Sequence, residues 1–204
     1  MKSDSIAFGI AGIFFGLIAG WIIGSQQAAQ RPIPAQAPAA AAASNAAPPA
    51  RAAVVDEAQV TALKSVAERE PSSAAPRTQL GNLYFDAERY DDAIKWYEEA
   101  VKLAPKDVNI STDLGVSYYY SNQPDKALAQ FERSLKLDPK HAKTLLNVGI
   151  VRAFGKQDLD GASQAWQEVI AAAPDSQEAQ AAKRALDSLR SAHSGTAAAQ
   201  KPGV

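Results

Sequence analysis

The stretch at residues 80–105, "LGNLYFDAERYDDAIKWYEEAVKLAP", decides the fold of this 204-residue chain. Its apolar residues recur every three or four positions, which is the spacing of an amphipathic helix and not that of a strand. A polar "DAER" lies between its two halves, and a proline follows the second half, where it prevents the helix from continuing. The stretch therefore predicts two helices that pack side by side.

The same pattern recurs at residues 114–139 and, less closely, at residues 148–174. Glycine, alanine, aromatic and proline positions all share one period of 34 or 35 residues: Gly81, Gly115 and Gly149; Ala93, Ala127 and Ala162; Tyr97, Phe131 and Trp166; Pro71, Pro105, Pro139 and Pro174. The third copy carries one extra residue, which we place in "GKQDLDGA" at residues 155–162, because an insertion between helices is well tolerated. One such unit cannot bury its apolar face alone, so the units are expected to stack.

The three copies resemble the tetratricopeptide repeat family, which is built from helix–turn–helix units of 34 residues. The resemblance implies an all-α fold, a right-handed superhelix of helix–turn–helix repeats of the α-solenoid type. The predicted segments are a leading helix at 54–73, repeats at 74–107, 108–141 and 142–175, a capping helix at 176–192 and a disordered tail at 193–204.

The repeat pattern also predicts how the helices pack. Each glycine is expected to meet the alanine of its own unit where the two helices approach most closely, and each aromatic residue is expected to fill space toward the neighbouring unit. Four positions depart from the family pattern and are interpreted as tolerated rim positions: Arg77, Ser111, Arg152 and Val169. We therefore expect the third repeat to pack least regularly.

Ahead of the repeats, residues 6–24, "IAFGIAGIFFGLIAGWIIG", follow a short tail at 1–5 and carry no charge. A helix of this length spans roughly 28 Å, close to the hydrocarbon thickness of a bilayer. A transmembrane anchor is the preferred interpretation, and a cleavable signal peptide, whose apolar core is usually shorter, is the alternative. Glycines at every fourth position, Gly12, Gly16, Gly20 and Gly24, predict a helix-packing stripe and a homo-oligomer through the anchor. The alternative is that a membrane helix simply tolerates glycine.

Residues 25–53 are rich in alanine and proline and are predicted to form a disordered linker. Lys2 lies closer to the apolar segment than Arg31 does, which favours a cytoplasmic N-terminus and repeats on the far side of the membrane. The domain order resembles single-pass tetratricopeptide proteins of bacterial inner membranes, some of which serve cytochrome c maturation and envelope assembly. The resemblance implies a bacterial inner-membrane location with periplasmic repeats, and the alternative is a cytoplasmic orientation.

The family resemblance also implies a concave groove, lined by the first helix of each pair, that binds a partner protein or peptide. The matching positions are Thr78, Asn82, Phe85, Asp86, Asn109, Thr112, Val116, Tyr119, Tyr120, Lys143, Leu146, Asn147, Ile150 and Phe154. Tyr118 is expected in the core. Some family members grip a C-terminal carboxylate, and only Asn82 and Lys143 match that clamp, so chaperone-tail binding is not predicted.

Other chemistry is disfavoured. The 21 Lys and Arg residues nearly balance the 22 Asp and Glu residues, so there is no basic field for nucleic acid. The chain has no cysteine and only two histidines, and it carries neither a phosphate-binding glycine loop nor an H-E-x-x-H motif. His141 is expected to be solvated. We predict no catalytic residue, no cofactor and no metal, and hence no enzyme.

The predicted function is a membrane-tethered adaptor or scaffold. The anchor localises the chain, the linker gives reach, and the groove captures a partner in envelope assembly or biogenesis. The alternative is a structural self-assembler that oligomerises through its repeats and the glycine stripe.

Overall fold

Eight α-helices and no strand make up residues 54–199, the part that the computed structural model describes, with side chains to residue 191. The helices are α1 Glu57–Arg69, α2 Ala75–Asp86, α3 Tyr90–Leu103, α4 Val108–Tyr120, α5 Pro124–Leu137, α6 Ala142–Ile150, α7 Leu159–Ala172 and α8 Gln177–Ala199. No helix among these residues is long and apolar enough to cross a bilayer. The predicted anchor with its glycine stripe, and the linker, lie outside the described residues.

The described helices pair as the repeat pattern predicts. α2 packs with α3, α4 with α5, and α6 with α7, while α3 packs on α4 between the first two repeats, α1 on α2, and α8 on α7. Aspartates start three of the helices, because the side chains of Asp56, Asp107 and Asp158 accept hydrogen bonds from backbone amides of the first turn. The outcome is three helix pairs with one helix at either end.

The C-terminal helix is longer than predicted. α8 continues to Ala199, although a disordered tail was expected from residue 193. The sequence "HSGTAAA" contains no proline and is rich in alanine, the residue with the highest helix propensity, so nothing local ends the helix. Composition alone therefore placed this boundary too early.

The turns inside the three repeats share one backbone feature. Glu88, Asn122 and Gln157 have positive φ angles of 58°, 59° and 56°, each just beyond the first helix of its pair. In the first two repeats the next amide donates a 2.8 Å hydrogen bond to the carbonyl five residues earlier, Arg89 to Tyr84 and Gln123 to Tyr118. This is the left-handed helix ending that glycine and asparagine favour.

The left-handed glutamate gives a stability prediction. Glu88→Gly is expected to raise the free energy of unfolding by about 0.5–1 kcal/mol, because relief of the left-handed strain exceeds the entropy cost of glycine. Urea unfolding followed by circular dichroism measures the change. Asn122→Gly is the matched control and should change stability less, since asparagine tolerates this conformation. A lower stability for Glu88→Gly would contradict the assignment.

The extra residue of the third repeat lies elsewhere than predicted. Residues Val151–Gly155 form a π-helical turn that continues α6. The amide of Lys156 donates to the carbonyl of Val151 at 3.0 Å, and that of Asp158 to Arg152 at 2.8 Å. A wider last turn of the first helix absorbs the insertion while these amides stay hydrogen-bonded, so the loop at 155–162 does not take it.

The repeated glycines make room for aromatic rings, which corrects the predicted packing. A Cβ atom added at Gly81, Gly115 or Gly149 would lie closer than 3.0 Å to the ring of Tyr97, Phe131 or Trp166, respectively. These rings belong to the second helix of the same repeat. The nearest neighbours of the glycines are therefore not the periodic alanines, although all three alanines are fully buried. The rings, expected to face the neighbouring unit, cover the glycines of their own unit.

Arg77 is not a rim residue. Its guanidinium donates to the carbonyl of Ser73 at 2.8 Å and to that of Ala67, in α1, at 3.3 Å. It also pairs with Glu99 of α3 at 3.3 Å, and its side chain is only 13 % exposed. The arginine therefore ties the leading helix to the first repeat, where the family pattern has an apolar residue.

The other departures are mostly interior as well. Ser111 is buried and accepts a hydrogen bond from Nε2 of Gln130 at 2.7 Å, and its hydroxyl lies 2.8 Å from that of Ser134. Val169 is fully buried, while Arg152 is half-buried and donates to the carbonyl of Gly161 at 3.2 Å. A satisfied polar network thus replaces an apolar contact between α4 and α5.

Candidate protein-binding surface

Four aromatic rings meet where α2 and α4 end, and we call Phe85, Tyr90, Tyr119 and Tyr120 the aromatic cluster. The ring of Tyr120 stacks on Tyr90 with centroids 5.1 Å apart and meets Phe85 edge-on at 5.4 Å. Phe85 and Tyr90 are 5.3 Å apart, and Tyr119 and Tyr120 are 5.5 Å apart. All four residues are half-buried, so the cluster is partly open to solvent.

The ends of the helices bring these rings together. Phe85 lies in the last turn of α2, Tyr90 is the first residue of α3, and Tyr119 and Tyr120 end α4. A hydrogen bond from Ser121 to Asp91 links the turns of the first two repeats. The third repeat approaches as well, because a Cβ at Gly155 would lie 3.3 Å from the Tyr119 ring. The cluster thus spans two repeats and borders the third.

Tyr90 was missed by the sequence reasoning. It belongs to the second helix of its pair, whereas only first-helix residues were assigned to the groove. Its equivalents one and two periods later are Pro124 and Leu159, so the aromatic residue is not periodic. The signal that could have identified it is its place directly after the turn that follows Phe85 and Asp86, the last two residues of α2.

The tyrosine hydroxyls of the cluster stay protonated at neutral pH. Burial raises the pKa of Tyr120 to about 12, with nearby Tyr90 and Tyr119 adding to the effect. Burial likewise raises the pKa of Tyr119 and of Tyr90, the latter also through the negative charge of Glu88. The surface therefore offers ring faces and neutral hydroxyls.

Carboxylates flank the aromatic cluster. Asp86 and Glu88 are exposed, and neither takes part in an ion pair among the described side chains. Partial desolvation raises the pKa of Asp86. The nearest arginine is already engaged, since Arg89 binds Asp92 at 2.7 Å and Glu57 at 3.8 Å. The edge of the cluster is therefore negatively charged.

The structure gathers only part of the predicted groove. Phe85, Tyr119 and Tyr120 meet in the cluster, Asp86 and Asn109 are exposed, and Thr78, Asn82, Lys143 and Phe154 are half-buried. The remaining predicted positions are buried: Thr112, Val116, Leu146, Asn147 and Ile150.

Packing around α6 explains most of this burial. α6 contacts α4, α5, α7 and α8, and seven of its nine residues are buried. The carboxylate clamp is not assembled either, because Lys143 pairs with Asp113 at 2.6 Å and Asn82 accepts the hydroxyl of Tyr97 at 2.5 Å. At a further clamp position, the side-chain amide of Asn147 donates a hydrogen bond to the carbonyl of Lys143 at 2.8 Å.

Two further expectations are corrected. Tyr118 is only half-buried and packs against the edge of the core, and its hydroxyl donates to Glu98 at 2.6 Å. His141 is half-buried and not fully solvated, because Nδ1 lies 2.7 Å from the hydroxyl of Thr144. That hydroxyl lies 2.6 Å from the Thr112 hydroxyl, so the histidine joins a hydrogen-bonded chain between α4 and α6.

The histidine gives a pH prediction. Burial lowers the pKa of His141 below its ordinary value of 6.5. The positive charge of Lys143 lowers this pKa further, whereas the negative charges of Asp138, Asp113 and Glu178 oppose the shift. As the pH falls, the imidazole is therefore protonated in the unfolded chain before it is protonated in the folded one. The contribution of neutral His141 to the free energy of unfolding is complete above about pH 6.5 and is lost as the pH falls through the folded-state pKa. We expect the melting temperature to fall less between pH 7.5 and 5.5 in His141→Asn than in the wild type. An equal change in melting temperature for the two proteins would contradict this prediction.

No metal site is evident in the described part of the chain, because nowhere between residues 54 and 191 do three His, Asp or Glu side chains come together as ligands.

Three stacked helix pairs with end helices define a helical repeat protein. Two family models, both described as tetratricopeptide repeat, match residues 72–140 and 112–176. Residues 72–176 are therefore tetratricopeptide repeats. A comparison with curated proteins gave no match.

Solved structures show the same fold. The chain is 26 % identical to the Sgt2 TPR domain from Aspergillus fumigatus, with a TM-score of 0.56 over 64 % of this chain and 86 % of that one. Its similarity to MamA is 23 % identity at a TM-score of 0.53, covering 56 % of this chain and 67 % of MamA. The first TPR of Spaghetti (RPAP3), solved bound to the HSP90 peptide SRMEEVD, has 23 % identity and a TM-score of 0.53, covering 59 % and 93 %.

Proposed function

We propose that residues 54–199 are a protein–protein interaction module whose binding surface is centred on the aromatic cluster. The observation that carries the proposal is the meeting of four half-buried rings beside the turns inside two neighbouring repeats. Aromatic residues dominate binding hot spots because they bury large area at a low entropy cost. The Spaghetti domain bound to an HSP90 peptide supports peptide binding by this fold, although the clamp is incomplete here.

The preferred ligand is an extended or helical peptide segment of a partner protein. Exposed ring faces suit apolar or proline side chains, and the neutral hydroxyls offer hydrogen bonds to a peptide backbone. The carboxylates of Asp86 and Glu88 favour a segment that carries a basic residue near its apolar contacts.

The module is further proposed to act as a tethered adaptor. Residues 6–24 anchor it in a bacterial inner membrane, residues 25–53 give reach, and the repeats face the periplasm in envelope assembly or biogenesis. The support is the uncharged 19-residue segment, the proline-rich linker and the position of Lys2. A reporter fused after Val204 that is active only outside the cytoplasm tests the orientation, and its inactivity would contradict periplasmic repeats.

Partner capture tests the binding surface. Solubilised membranes are passed over immobilised wild-type chain and over the Tyr119→Ala plus Tyr120→Ala variant, with circular dichroism verifying that the helices remain. The matched control is Leu103→Ala plus Leu137→Ala, which removes exposed apolar side chains at the C-terminal ends of α3 and α5. We expect the cluster variant, but not the control, to lose the partner. Equal recovery by both variants would contradict the proposal.

Self-assembly is the competing function, and sedimentation separates the two. Residues 54–204 form a compact unit with its own core, so they can be studied alone. An adaptor is expected to sediment as a monomer at all concentrations. Concentration-dependent multimers would favour a structural assembly instead.

A further inference from the structure

Four polar side chains on the first helices of the three repeats form one surface, which we call the polar face: Asn82 and Asp86 on α2, Asp113 on α4 and Lys143 on α6. The hydroxyl of Tyr97 joins its parts, because it donates to Oδ1 of Asn82 at 2.5 Å. Burial raises the pKa of Tyr97, and the negative charges of Asp113 and Asp86 raise it further, so both carboxylates lie near this hydroxyl. Asp86 also edges the aromatic cluster, so the two surfaces adjoin.

An ion pair sets the charge of the polar face. Nζ of Lys143 lies 2.6 Å from Oδ1 of Asp113, and the two side chains are 38 % and 25 % exposed, so a ligand can reach both. Asp86 takes part in no ion pair among the described side chains. Two carboxylates therefore face one ammonium group, and that group is already neutralised. The polar face carries one excess negative charge and presents no free cation.

This charge distribution discriminates between peptide segments. SRMEEVD, the peptide bound to the first TPR of Spaghetti, contains three acidic side chains and one arginine. A face with excess negative charge repels such a segment, and an incoming carboxylate could reach Lys143 only in competition with Asp113. A segment that carries a lysine or an arginine is instead attracted by the carboxylate of Asp86.

We propose that Asp113 sets the charge specificity of the proposed binding surface. By neutralising Lys143, it makes the polar face select a partner segment that carries a basic residue beside its apolar contacts and reject an acidic segment. This specificity rests on the proposed function, because the segment docks its apolar side chains on the aromatic cluster. Asp113 was not among the groove residues that the sequence predicted, since only its ion pair with the third repeat reveals its effect on the surface.

Two fluorescent peptides test the specificity by anisotropy titration of residues 54–204. The acidic probe is SRMEEVD, and the basic probe is its charge-reversed counterpart SRMKKVK with an amidated C-terminus. We expect the wild type to bind the basic probe at least about tenfold more tightly than the acidic one, because charge changes of opposite sign act on the two probes. Added salt should weaken this preference, since exposed charges are screened.

Substitutions on either side of the ion pair should move the preference in opposite directions. Asp113→Asn, which keeps the shape of the side chain, should lower the ratio of the two affinities about tenfold, and Lys143→Gln should raise it. A purely structural role would instead weaken both probes alike. Asp187→Asn is the matched control, because it makes the same change in an ion pair on α8, with Arg190 at 3.1 Å, and should leave the ratio unchanged.

The opposite results would overturn the proposal. These are an unchanged ratio in Asp113→Asn, an equal change in Asp187→Asn, or no binding of either probe to the wild type. The Tyr119→Ala plus Tyr120→Ala variant separates this specificity from the proposed function, since it should weaken both probes and keep their ratio. Weakening of both probes there, together with a ratio indifferent to Asp113→Asn, would overturn the specificity and leave the proposed function standing. The reverse pattern would overturn the proposed function and confine binding to the polar face.

Discussion

Gly115→Ala is expected to lower the free energy of unfolding by about 3 kcal/mol. The sign is informative, because glycine to alanine inside a helix ordinarily stabilises by up to about 1 kcal/mol. Here the added methyl group would collide with the ring of Phe131, which is fully buried, so the ring would have to shift within a packed core. Urea unfolding of residues 54–204, followed by circular dichroism, measures the change. A neutral or stabilising result would contradict the ring-over-glycine packing.

A double-mutant cycle isolates the contact. Phe131→Leu alone should destabilise, since it leaves space above Gly115, but Gly115→Ala should cost less in its presence. We expect a coupling of about 1–3 kcal/mol between the two positions. Strict additivity would mean that the methyl group collides with something other than the ring.

Trp166→Ala is expected to lower the free energy of unfolding by about 3–5 kcal/mol, the range for removing a large buried side chain. The indole is 2 % exposed, lies over Gly149, and donates from Nε1 to the carbonyl of Leu146 at 3.3 Å. Its removal leaves a cavity between α6 and α7 and removes a hydrogen bond that links the two helices. The same unfolding measurement applies.

Two control variants distinguish destabilisation by the cavity at Trp166 from the effect of removing any tryptophan. Trp166→Phe retains much of the ring and should cost considerably less than Trp166→Ala. Trp96→Ala removes a half-buried indole that packs against the core around Leu80 and lies 5.9 Å from Nζ of Lys64, and it should also cost less. If Trp96→Ala were the more damaging change, the third repeat would not depend on its aromatic residue as the structure indicates.

Periodicity made the helices and their pairing predictable. Glycine, alanine and aromatic positions recur together only if every unit packs alike, so the family could be recognised from three imperfect copies. Contacts that differ between repeats could not be predicted from the sequence. Arg77 and Ser111 occupy equivalent positions, yet one ties α1 to α2 and the other anchors a buried polar network, because their partners lie on different helices.

The candidate site likewise combines residues at periodic positions, which the sequence predicts, with residues that follow no period. The repeat pattern predicts Phe85, Tyr119 and Tyr120 as groove residues from their first-helix positions, but Tyr90 follows no period. The predicted groove positions on α6 are buried, and their exposure depends on how α8 packs against α6, which the repeat pattern does not encode.

Photo-crosslinking in cells tests the aromatic cluster as a binding surface most directly. A benzophenone side chain introduced in place of Asp86, which is exposed next to Phe85, should give a discrete adduct with a partner protein on irradiation. The same group in place of Glu132, exposed on α5, is the matched control and should give none. A partner adduct at Asp86 alone is the predicted result. Adducts of equal yield at both positions, or at Glu132 only, would contradict the account.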